Sequence, residues 1–355
     1  MRLHRRHFIR RTAGLAAGGL LGLPAYGRGR DGDPPAAKTL SAYYLRAHMY
    51  TAVPAHVRAD MEWMAARGTR NVCISLLEQD LWAAVENVNL IAAEAERVGM
   101  RVLGIPTRWA GLYAGAPKVP SLWLSTRPEY WVRDADGDVR VSRVTGPRGS
   151  VVHAAVERFL LDKLLETAAT FPQIAGYVWD EPKYDTVDYG EAARAALGAD
   201  FTPLDYLRAA TRMQSRINAA FLRSHPDKEL HLFTYAFQPD DALALFADIE
   251  GLTSVGCDGR PWHDRDAGHT DGGRGKALLG NGERFLAAAA ARGKRSLWLV
   301  ENHNLRTEDL ALMERRLPEV VAAPVDHLIY YYYPRNVAAP ERAMSIVAAN
   351  VERFG

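Results

Sequence analysis

The sequence predicts a single (β/α)8 TIM barrel of the α/β class, and three observations carry that expectation. Short apolar runs alternate with longer Ala- and Leu-rich segments eight times between residues 40 and 354. The short runs are apolar on both faces, as strands must be in a parallel sheet covered on both sides. The segment after the first run has no glycine-rich phosphate turn, the mark of an open doubly wound sheet.

In order, the strands are expected at 40–47, 70–77, 101–106, 174–180, 229–236, 252–257, 295–301 and 327–333. The helices are expected at 54–67, 81–98, 151–170, 202–224, 240–248, 282–292, 307–317 and 339–354. The second helix shows the pattern best. Leu81, Val85, Val88 and Ala92 fall on one stripe, with Glu86, Asn89 and Glu96 elsewhere. Gly68, Gly99 and Gly293 follow three helices, where a left-handed cap residue is wanted. Residues 39–355 are therefore treated as one catalytic domain, preceded by a polar linker at 31–38.

The first 30 residues stand apart. Arg5-Arg6-His7-Phe8-Ile9-Arg10 precedes a Gly- and Ala-rich apolar stretch ending near Pro24-Ala25-Tyr26-Gly27. This resembles a bacterial twin-arginine export signal. It implies the export machinery as a partner, a periplasmic or secreted product, and no stable membrane anchor once the signal is removed. Seven of the 44 Lys and Arg residues lie in this segment, which has no acid. The remainder holds 37 bases against 42 acids, a net charge near −5 that argues against nucleic acid as a partner. The two cysteines, Cys73 and Cys257, fall in different strands and are read as buried thiols.

The chemistry is concentrated at strand ends. Trp179-Asp180-Glu181-Pro182 runs from an apolar strand into two carboxylates and stops at a proline that cannot continue the ladder. Buried unpaired charge is costly, so such acids are expected to have a use. An apolar neighbour such as Trp179 is expected to raise the pKa of Glu181. Barrel enzymes build their sites at the C-terminal ends of the strands. Read in order, those ends supply Arg46 and His48, Glu78, Arg108 and Trp109, then Trp179, Asp180 and Glu181. They continue with Tyr235, Asp258 and Arg260, Glu301 and His303, and finally Tyr331, Tyr332 and Arg335.

These residues resemble the clan of retaining (β/α)8-barrel glycoside hydrolases. There a strand-four Asn-Glu-Pro supplies the proton donor and a strand-seven Glu attacks the sugar. The resemblance implies Glu181 as acid/base and Glu301 as nucleophile. Asp180 stands where that clan has an Asn that bonds the sugar 2-hydroxyl, and an ionised Asp accepts such a bond without donating one. The chemistry fits on its own terms, since glycosidic cleavage needs one carboxylic acid and one carboxylate facing each other. Glu181 and Glu301, three strands apart, can face across the mouth. Asp258 or Asp180 would serve as base in an inverting variant.

Substrate contacts are expected from Arg46, His48, Arg108, Trp109, Trp179, Asp180, Tyr235, Asp258, His303 and Tyr332. The long loop 107–150, with Trp109, Tyr113, Trp123, Tyr130 and Trp131, is expected to stack rings on a carbohydrate, the alternative being a satellite core. No cofactor is expected. Two other classes remain in view. One is a metal-dependent isomerase or hydrolase, using His263, Asp264, Asp266, His269 and Asp271 of a flap, or Glu181, Glu301 and His303. The other is a non-catalytic carbohydrate-binding barrel.

Overall fold

Eight parallel strands close into a barrel in simple chain order, β1 to β8, with β8 returning to pair with β1. They are β1 (Thr39–Tyr44), β2 (Asn71–Leu76), β3 (Arg101–Pro106), β4 (Ile174–Asp180), β5 (Glu229–Tyr235), β6 (Ser254–Gly259), β7 (Arg295–Val300) and β8 (His327–Tyr332). The computed structural model describes residues 37–45, 52–267 and 275–354. The expected export signal, most of the expected linker, and Arg46, His48, His269 and Asp271 lie outside the described residues. No helix of the described residues is long and apolar enough to cross a membrane.

Helices cover the sheet: α1 (Pro54–Ala65), α2 (Asp80–Ala83), α3 (Val85–Arg97), α4 (Leu122–Ser125), α5 (Ala154–Thr170) and α6 (Glu191–Leu197). They continue with α7 (Pro203–Ser224), α8 (Asp240–Ala247), α9 (Glu283–Ala290), α10 (Thr307–Ala322) and α11 (Pro340–Val351). Two departures from expectation have local causes. The second expected helix breaks at Ala84, whose φ of −132° leaves the helical region. The helix expected to stop before Pro318 runs on to Ala322, because burying Leu317, Val320 and Val321 outweighs the one lost N–H bond.

The core has two shells. Outward residues such as Val72, Ile74, Tyr177, Trp179, Trp298 and Tyr330 pack under the helices. Inward residues, among them Tyr43, Cys73, Leu103, Val178, Phe233, Leu299 and Tyr331, fill the barrel. Both cysteines are buried and free. Gly256 permits the close approach of β6 to β7, since a Cβ there would lie 1.5 Å from the Leu297 carbonyl oxygen. The N-terminal end of the barrel is closed by a polar cluster, with Ser41 2.7 Å from His327 and His231 2.8 Å from Ser254.

Candidate active site

The opposite, C-terminal rim is where the backbone is least regular. Arg108 after β3 (φ 61°), Glu181 after β4 (φ 37°), Asn304 after β7 (φ 50°) and Tyr333 after β8 (φ 45°) all adopt the left-handed region. Non-glycine residues hold such conformations at a cost of about 1–3 kcal/mol, and they gather where geometry serves a site. Glu181 is fixed there by its own N–H, bonded to the Phe233 carbonyl at 2.9 Å. The turn after β3 braces the same point: Ala114 N–H donates to Asp180 O at 2.8 Å, and Lys183 N–H donates to Leu112 O at 2.7 Å.

Glu181, Asp258 on β6 and Glu301 after β7 each bring a carboxylate oxygen within 4.8 Å of the others. Three cations meet them. Lys183 Nζ is 2.6 Å from Glu181, Lys276 Nζ is 4.0 Å from Glu181 and 3.6 Å from Glu301, and Arg260 Nε is 3.5 Å from Glu301. Lys183 also donates to the Tyr235 hydroxyl and lies over that ring, 4.5 Å from its centroid.

These neighbours sort the protons. Burial pushes the Asp258 carboxyl well up, and the charges of Glu181 and Glu301 push it further, so Asp258 holds a proton that it shares with Glu181. Burial also raises Glu181, but the attraction of Lys183, the Asp258 hydrogen bond and Lys276 outweigh it and bring Glu181 down to about 2. The expectation that Trp179 raises Glu181 is therefore reversed: the lysines prevail. Asp180, buried and beside the Glu181 charge, is pushed up to about 7. Burial and the cations Arg260, Arg335, Lys276 and Lys118 hold His303 down at about 3, so it is neutral.

An aromatic stack supports the rim from below. Tyr43 stacks on Tyr331 (4.8 Å), and Tyr331 on His303 (4.7 Å). The Tyr43 hydroxyl lies 2.5 Å from Ser75 Oγ and 3.4 Å from Asp180. Two buried polar atoms at the rim, Glu301 Oε2 and His303 Nδ1, have no hydrogen-bond partner among the described residues.

The structure thus brings together Glu181, Glu301, Asp180, Asp258, Tyr235, His303 and Arg108. Arg108 is buried and donates to Pro117 O at 3.1 Å and Gly115 O at 2.9 Å. Three expected contact residues are elsewhere. Trp109 is fully buried, with its indole N–H donated to Leu76 O at 2.9 Å. Trp179 points away from the barrel interior and packs against Tyr113 at 4.8 Å. Tyr332 also faces outward, giving its hydroxyl to Asp60 at 2.8 Å. None of these rings offers a face to a sugar. The loop aromatics pack on each other and on α5, with Trp123 stacked on Tyr130 (5.6 Å) and Phe159 (4.3 Å), which is the satellite-core arrangement. Its anchor is the buried Glu78, which accepts from Ser121 Oγ at 2.5 Å and Trp123 N at 2.7 Å.

The flap acids have structural partners as well. Asp264 accepts from Gly275 N at 2.8 Å and Asn281 at 2.6 Å, and Asp266 pairs with Arg316 at 2.9 Å. Among the described residues, the acidic group compact enough to hold a metal ion is Glu181, Asp258 and Glu301. Its donor set fits such an ion poorly, because a divalent cation would have to displace the Asp258 proton and sit beside Lys183, Lys276 and Arg260. A groove of about 550 Å³ along α7 and α8, lined by Arg212, Arg216 and Asp248 among others, includes none of the rim residues.

Sequence reasoning gives no role to Lys183, Lys276 or Tyr43. Lys183 had a signal, two residues beyond Glu181 across a turn-forming proline. Lys276 and Tyr43 had none.

No protein-family model matches the chain, and no curated protein sequence does. Solved structures do resemble it. A β-galactosidase from the psychrophilic Marinomonas ef1 is 14% identical with a TM-score of 0.62, over 88% of this chain and 59% of that one. The catalytic domain of a β-amylase from Paenibacillus polymyxa is 11% identical with a TM-score of 0.59, over 88% and 97% of the two chains. An endo-1,4-β-mannanase from Rhizomucor miehei is 9% identical with a TM-score of 0.60, over 92% and 96%. At these identities the likeness is one of fold: the chain is a (β/α)8 TIM barrel.

Proposed function

We propose that this chain is a glycoside hydrolase that cleaves an oligo- or polysaccharide, with Glu301 attacking the sugar and the Glu181–Asp258 pair supplying the proton. The observation that carries the reading is three carboxyl groups within 4.8 Å at the C-terminal rim, with Glu181 ionised and Asp258 protonated. Glycosidic cleavage needs a proton on one side of the bond, which the Glu181–Asp258 pair holds, and a carboxylate on the other, the role given to Glu301. Glu301 Oε2 accepts no hydrogen bond among the described residues and faces Arg260 Nε at 3.5 Å; in the proposed step it bonds to the anomeric carbon. As that bond forms, the bond to the leaving oxygen breaks, and that oxygen takes the proton shared by Asp258 and Glu181. Glu181 delivers it, being the more exposed of the two. Water then releases the sugar from Glu301 and returns a proton to the pair.

The carboxyl oxygens approach within 4.8 Å of one another, nearer to the spacing of a retaining than of an inverting mechanism. Carboxyl groups about 5–5.5 Å apart suit a covalent intermediate, whereas about 6.5–9.5 Å leaves room for a water. The resemblance to the galactosidase, amylase and mannanase barrels is consistent with the class.

A panel of bacterial and plant polysaccharides, with aryl glycosides of both anomers, tests the activity. Glu181→Gln should lower turnover by about 10²–10⁴-fold with the fold intact. Azide should rescue Glu301→Gly and yield a glycosyl azide. Wild-type turnover in either variant removes that residue from the mechanism.

A further inference from the structure

Six cationic side chains gather at the rim: Arg108, Lys118, Lys183, Arg260, Lys276 and Arg335. Lys183, Lys276 and Arg260 lie within 4.0 Å of Glu181 or Glu301 and balance them. Arg108, Lys118 and Arg335 have no carboxylate within that distance among the described residues. They are nevertheless crowded together. Arg108 donates to the carbonyls of Pro117 and Gly115, and Arg335, arriving from the end of β8, donates to the Ala116 carbonyl between them. Lys118 follows directly in the chain. Two guanidinium groups thus grip one three-residue turn, and carbonyl oxygens bond to them without neutralising them.

The crowding registers most clearly at Lys118. Burial, then Arg108 and Arg335, bring Lys118 down to about 8, and Arg108 is lowered chiefly by burial. Compensation from nearby described side chains is partial: Asp180, pushed up to about 7, is the largest charge partner of Arg108, whereas Asp258 holds a proton and His303 is neutral with an unpartnered buried Nδ1. The positive rim is not a general property of the chain, since acids outnumber bases beyond the first 30 residues. A cleft that concentrates one sign of charge between low-dielectric walls selects ligands of the other sign.

We propose that the cleft takes a sugar bearing an anionic group, a carboxylate or a sulfate, held by Arg108, Lys118 and Arg335 beside Glu181 and Glu301. This deepens the glycosidase reading and rests on it. The planar guanidinium groups suit the paired oxygens of such a group, and Lys118 adds a point charge at the entrance.

The test is calorimetric titration of the full chain with glucuronate, galacturonate, mannuronate, glucose 6-sulfate and their neutral parents. At least one anionic member should bind about tenfold or more tighter than its parent, the gain expected of a charge-assisted bond. Preference for a uronate or for the sulfate identifies the group. Lys118→Gln and Arg335→Gln should each cut that preference about tenfold. Equal affinity for anionic and neutral members, or an unchanged preference in both variants, overturns the inference. Aryl glycosides of the same sugars separate the two readings. Cleavage without anion preference leaves the glycosidase and removes the anion subsite. Anion preference without cleavage of any panel member does the reverse.

Discussion

Replacing Lys183 by Met isolates the interaction that sets the protonation of the candidate site. Lys183 and Glu181 are 2.6 Å apart, with side chains only 11% and 14% exposed, so solvent screens the pair weakly. Burial alone would raise Glu181; Lys183 is the largest of the influences that bring it to about 2 from an ordinary 4.5. One pKa unit corresponds to about 1.4 kcal/mol, so the depression contributes about 3 kcal/mol at neutral pH. Because the folded-state value lies below the unfolded one, this stability is present above about pH 4.5 and is lost as pH falls toward 2. Lys183→Met should remove the largest share of that depression and be about 1–3 kcal/mol less stable than wild type at pH 7, with the gap narrowing as pH falls toward 2. Urea unfolding at a series of pH values measures it. A gap that stays constant with pH, or no gap at pH 7, would refute the assignment of Lys183 as the group that holds Glu181 ionised.

Trp109→Ala should destabilise the barrel by about 3–5 kcal/mol, because a fully buried indole is removed along with its bond to Leu76. Urea unfolding checks this, and unchanged stability with weakened saccharide binding would return Trp109 to the substrate. Asp180→Asn should flatten a different part of the pH profile. The Asp180 carboxyl is pushed from 3.8 up to about 7, chiefly by burial and then by the Glu181 charge, so its effect on wild-type stability is absent below about pH 4 and grows unfavourable as pH rises to 7. Parallel pH–stability curves for wild type and variant would contradict this.

Much of the rim was legible in the sequence. Eight alternations of short apolar run and helical segment leave a closed parallel barrel as the economical fold, and its strand ends are then known to lie on one face. That logic alone brings Glu181, Asp258 and Glu301 to the same mouth. It fails on side-chain direction. A strand buried on both faces is apolar throughout, so its pattern does not say which parity points inward. Position along the strand places Trp179 and Tyr332 at the cleft, yet closure of the barrel turns Asp180 and Tyr331 inward and leaves those two rings beneath the helices. Trp109 escaped for a related reason: the left-handed Arg108 turns the chain so that the indole enters the core. Protonation lay further still from the sequence. Which carboxyl keeps the proton depends on charges brought within a few ångströms by four different loops, and Lys276 and Arg260 reach Glu301 only because β6 and β7 are neighbours in the closed sheet. Sequence determined which chemical groups stand at the rim; the tertiary structure decided which of them face one another, and through that their charge.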